Sequence, residues 1–209
     1  MTLYQIVFIA EGLAVLLGTW YFYKYKNTSF KFLLAYLWIM LAMENANHLF
    51  DIPDFWQFVR WNLFGIASRL LFMWMFREET HSTRTRKIIT FLMILLTSGF
   101  IISLLIQGFA AMHTEIQFVA NIFGIISIAL YAADLFSREY IHQIGRDVIV
   151  WIAATFLIIF TSFPIIQTAK LLFYGREPLF SNIMWVMAGV IVLMYSVLCF
   201  GFIYSYPKK

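Results

Sequence analysis

The sequence predicts an all-α fold. It reads as a single polytopic membrane domain over 1–209, a bundle of seven transmembrane helices with the N-terminus outside and the C-terminus inside. Three observations predict it. The 209 residues are 62% hydrophobic and 12% charged, whereas a soluble domain is nearer half apolar and a quarter charged. The apolar residues gather in seven segments, and seven spans of about 20 residues use roughly 140 to 150 positions, which leaves room only for short loops. Lysine and arginine, finally, alternate in density from one connection to the next.

The segments run over roughly 3–23, 31–50, 56–76, 88–107, 115–136, 148–169 and 181–205. The first lacks a basic leader and carries Glu11 inside its apolar run, so it reads as a retained span and not as a cleaved signal. The second ends in the most polar intramembrane stretch of the chain, Met43 to Asp51, with Glu44, Asn45, Asn47, His48 and Asp51. The third holds Asn62 and Arg69. The fourth has no ionisable residue in its core. The fifth places Ala120 and Gly124 four apart, a small-residue spacing that permits close helix contact. In the sixth, Pro164 predicts a kink near the end, and the seventh is apolar throughout its core.

Orientation follows from the connections. Lys24, Lys26, Lys31, Arg77, Arg84, Arg86, Lys87, Arg138, Arg146, Lys208 and Lys209 fall on one side, against Arg60, Lys170 and Arg176 on the other. Cytoplasmic loops hold the excess of Lys and Arg, so the richer side is inside. Trp20, Trp74 and Trp151 then lie near the inner interface and Trp56, Trp61 and Trp185 near the outer one, as an aromatic belt requires. The longest polar stretch, residues 77–87, is an inner loop whose Arg77, Arg84, Arg86 and Lys87 suit docking by a partner protein.

Ionisable groups inside a bilayer are expensive, so they face the bundle interior and pair. Glu11 lies 13 residues from Lys24, and Glu44 lies 13 from Lys31. At a rise of 1.5 Å per residue both sit about 20 Å above the inner boundary, with Arg69 about 12 Å up. Glu44, Asn47, His48 and Asp51 share one face of their helix, and Asn62 shares a face with Arg69. The pattern predicts a polar cluster opening outward, built from Glu11, Glu44, Asn47, His48 and Asn62 and floored by Arg69. The same residues can serve only as a clamp between helices.

Other chemistries lack their residues. Net charge +4 comes from short clusters between spans, a topology signal and not a nucleic-acid surface. All seven lysines lie at span ends or in loops, so no retinal Schiff base is available. No HxxxH or HExxH spacing occurs, which leaves haem or metal at His48 and His113 without support and no cofactor expected. GxSxG, P-loop and GxGxxG patterns are also missing. The lone Cys199 excludes a disulfide within these residues.

The third segment, WNLFGIASRLLFMWMF, together with the seven-segment layout, resembles small uncharacterised seven-helix integral membrane proteins of bacteria. Those carry an Asn early in helix three and an ionisable residue about seven later, positions matched here by Asn62 and Arg69. Arg69 departs from the acidic residue of that pattern. The resemblance implies a bacterial cytoplasmic (inner) membrane and no particular activity. The reading from the residues is a non-enzymatic membrane sensor or accessory subunit with an outward-facing polar pocket for a small ligand, relaying to a partner. A transporter or proton-coupled carrier, and a structural subunit of a larger complex, are the alternatives.

Overall fold

The computed structural model describes residues 3–49, 53–109, 111, 113–137, 145–173, 176 and 178–206, with the side chains at 44, 47–49, 54, 170 and 171 outside that description. Among the described residues are seven α-helices: α1 (Leu3–Trp20), α2 (Lys31–Leu49), α3 (Asp54–Glu79), α4 (Thr83–Gln107), α5 (Thr114–Phe136), α6 (Val148–Phe173) and α7 (Leu179–Tyr204). Each matches one predicted segment. A 3₁₀ turn, Phe22–Lys24, follows α1, so the first helix stops short of residue 23. Helix α6 continues through Pro164.

Five of the seven, α1, α4, α5, α6 and α7, are long and apolar enough to cross a membrane, which makes this an integral membrane protein by length and composition. Helices α2 and α3 differ for a reason visible in their residues. The apolar part of α2 is Lys31–Met43, after which the polar tail begins. Helix α3 is 26 residues long, about 39 Å, but carries Arg60, Asn62 and Arg69 along that length.

The chain forms two compact units. Met1–Ala42 with Tyr140–Lys209 makes the first and Met43–Glu139 the second. In the first, α7 packs against both α1 and α6. Close approach depends on two glycines. A Cβ at Gly201 would stand 2.3 Å from Trp151 Cβ, and one at Gly18 would meet the Phe202 ring at 3.2 Å. Helix α2 joins through buried Leu33 and Leu37 and through Trp38 Nε1, which donates to Thr19 Oγ1 at 3.2 Å.

In the second unit, α3, α4 and α5 each touch the other two. Ile66, Met73, Ile89, Leu96, Phe100 and Ala120 form its apolar core. Helix α4 is capped by Gly108, whose N–H donates to the Leu104 carbonyl at 2.9 Å and whose φ of +75° turns the following chain away from the helix. Few other residues adopt that backbone cheaply.

Candidate functional site

Helix α3 has one face with a polar upper half. Asn62, Gly65, Ile66 and Arg69 follow the i, i+3, i+4, i+7 spacing that stacks side chains on one side of a helix. Asn62 is 1% exposed. Its Nδ2 donates to the Ala111 carbonyl at 2.7 Å, and its Oδ1 accepts from the His113 backbone N–H at 3.1 Å. One side chain thereby ties α3 to the connection between α4 and α5.

His113 is fully buried, beside the first turn of α5. Its Nε2 lies 2.9 Å from the Gly108 carbonyl, which can only accept, so Nε2 carries a proton. In the neutral ring Nδ1 is then the acceptor for the Ser103 hydroxyl at 2.6 Å. Both ring nitrogens are engaged within the unit.

One turn into α5, Gln117 lies on the bare Cα of Gly65. A Cβ there would stand 2.3 Å from Gln117 Nε2, and the amide reaches the Asn62 carbonyl at 3.4 Å. One turn further, Asn121 Oδ1 accepts from Arg69 Nε at 3.3 Å. Arg69 Nη1 also donates to the Gly65 carbonyl at 3.1 Å and to Ser68 Oγ at 3.2 Å. The apolar core of the unit, from Ile66 through Met73, begins beside this arginine.

The structure thus brings Asn62 and Arg69 into one network with α5. Among sequence-predicted partners, Glu11 belongs to the first unit, where it is fully buried on the α1 face that also buries Ala14, Val15 and Gly18. Glu44, Asn47 and His48 lie on α2, but their side chains, like all of Asp51, fall outside the described residues. Sequence reasoning missed Ser103 and Gln117 and weighed His113 only as a haem or metal ligand. The signal was present: His113, Gln117 and Asn121 recur every fourth residue, one stripe of α5.

At the opposite end of this unit, the stretch expected as a loop is mostly helix. Residues 77–79 close α3 and 83–87 open α4, leaving 80–82 between them. The Asp134 carboxylate accepts from the backbone N–H groups of His81 (3.0 Å) and Ser82 (2.9 Å), and Ser82 Oγ accepts from Thr85 N–H. The bonds to the Ser82 and Thr85 N–H groups satisfy two of the donors that a helix start leaves open. Arg86 donates to the carbonyls of Thr80 and Glu78, while Arg77 donates to Thr90 Oγ1 at 2.7 Å and pairs with Glu78. Arg84 and Lys87 remain exposed.

The first unit uses a cation at its own corner. Lys24 is 5% exposed, and its Nζ donates to the carbonyls of Phe202 (2.6 Å) and Ile203 (2.8 Å), the last turn of α7. A cation there meets the negative end of the helix dipole. Burial holds the Lys24 ammonium below its ordinary value and pushes the neighbouring Tyr25 phenol up. The Tyr25 hydroxyl donates to Gly18 O at 2.7 Å while its ring stacks on Phe202. No family model, no curated protein and no solved structure matches the chain.

Proposed function

We propose that the protein is a non-enzymatic accessory subunit of a membrane assembly, with seven spans, N-terminus outside and C-terminus inside, in a bacterial-type cytoplasmic membrane. The observation that carries this reading is the engagement of the α3–α5 polar side chains with their own chain. Both ends of the Asn62 amide, both nitrogens of His113 and three N–H groups of Arg69 have partners within the unit. Groups so engaged join helices; a ligand would have to displace them. Positive charge in the connections supports the orientation, and exposed Arg84 supports a contact with a partner at the inner face.

Sensing of a small ligand, or proton-coupled transport, is the second reading, and Glu11 favours it. A carboxylate fully buried in an apolar helix is costly, and such residues commonly mark ligand or proton paths. Native mass spectrometry of the protein released gently from its own membranes separates the two. A stoichiometric protein partner, kept in Glu11→Gln, is the result expected of a subunit. A small extra mass lost in Glu11→Gln, or pH-dependent flux in liposomes that the same variant abolishes, would overturn it.

A further inference from the structure

Between α3 and α4 lies a cavity of about 370 Å³, lined by Leu70, Trp74 and Arg77 from one helix and by Thr90, Met93, Ile94, Thr97 and Ser98 from the other. That volume falls in the range of small-ligand sites. Leu70 to Arg77 spans about 10 Å of α3 and Thr90 to Ser98 about 12 Å of α4, so the cavity is a groove along the helix axes. Its wall is apolar in effect. The Thr90 and Thr97 hydroxyls donate to the carbonyls of Arg86 and Met93, one turn back, and Ile94 is 60% exposed.

Positive charge is gathered at one end. Arg77 lines the groove, and Lys87 precedes Thr90 by three and Ile94 by seven, which puts it on the groove's side of α4. A guanidinium has five N–H donors. Among the described residues Arg77 directs one to Thr90 and one to Glu78, leaving three. At the start of α4 the Asp134 carboxylate already accepts from the Ser82 N–H and the Ser82 hydroxyl from that of Thr85, and Asp134 adds a negative charge there.

We propose that this groove binds one anionic glycerophospholipid, its phosphate held by Arg77 and Lys87 and an acyl chain lying along Leu70, Trp74, Met93 and Ile94. An apolar trough continuous with a mouth that offers Lys87 and the remaining Arg77 donors matches the two parts of such a lipid, and basic pockets between membrane helices take anionic headgroups. Arg84, one turn beyond Lys87, is left for a protein partner.

The test is native mass spectrometry from micelles doped with phosphatidylglycerol or phosphatidylcholine of identical acyl chains. Glu78 offsets the charge of Arg77, so the mouth carries one net positive charge, worth a preference of about fivefold for the anionic lipid. Lys87→Gln brings it close to parity, and Ile94→Trp, which fills the trough, lowers retention of both lipids. Circular dichroism establishes that each variant is folded. Equal retention of the two lipids by the wild-type protein would overturn the proposal, as would a preference untouched by Lys87→Gln or a retention untouched by Ile94→Trp. Retention of inorganic phosphate with no lipid would overturn the assignment to a membrane lipid.

Discussion

Asn62→Ala is the substitution that tests the polar network most directly. It removes a side chain that is 1% exposed and makes two hydrogen bonds, 2.7 Å to the Ala111 carbonyl and 3.1 Å from the His113 N–H. Inside a membrane protein a single side-chain bond contributes about 0.6 kcal/mol on average and up to about 1.7. Both partners here are backbone groups, and the His113 N–H bond is a buried one. Leaving such a group unpaired costs about 1 to 3 kcal/mol. Two partners therefore cost about 3 kcal/mol together, a little over a hundredfold in the folded fraction. The assay is reversible unfolding of the purified protein in mixed micelles as the proportion of denaturing detergent rises. Asn62→Ala should unfold at lower denaturing fraction, with hydrogen exchange rising first at His113. A loss below about 0.5 kcal/mol would refute the reasoning. It would mean that water reaches these groups, and that the α3–α5 cluster is a wet pocket instead of a joint.

Four further outcomes follow from the structure. Gly201→Ala brings a Cβ to within 2.3 Å of Trp151 Cβ and should cost at least 1 to 3 kcal/mol by overpacking. Gly12→Ala, with nothing within 4 Å, should be neutral or gain up to about 1 kcal/mol in the same unfolding assay. Asp134→Asn keeps the shape but turns a donor toward one of two backbone N–H groups, so it should cost about 1 kcal/mol and speed amide exchange at His81 or Ser82. Burial lowers the Lys24 pKa from 10.5, so in the window below 10.5 the unfolded chain binds more protons than the folded one. This group's contribution to stability is then flat at lower pH and rises as pH climbs through the window. Melting curves of wild type and Lys24→Met over alkaline pH should differ by that slope, and parallel curves would remove Lys24 as its source.

Every predicted segment contains a helix, and the ends agree to within a few residues where apolar periodicity stops at a polar cluster. The largest disagreement is at the start of α4. Helix α4 begins at Thr83, five residues before the predicted start at 88, where Ser82 caps the Thr85 N–H locally and Asp134 of α5 accepts from the Ser82 N–H. Spacing likewise placed Asn62 and Arg69 on one face of α3, since seven residues make nearly two turns. It could not say what that face would meet. Their partners are Ala111, His113 and Asn121, 49 to 52 positions away.

Lys24 shows the limit most plainly. In sequence it is one of three lysines near the end of the first segment, a topology marker like Lys26. In the fold its ammonium lies under the last turn of α7, 178 residues away, bound to two carbonyls. Composition and periodicity are local quantities, and they decided that the chain is helical, membrane-bound and polar at a few chosen depths. Which of those polar groups would be saturated by the chain itself depends on contacts between helices distant in sequence. Only the tertiary structure decided that.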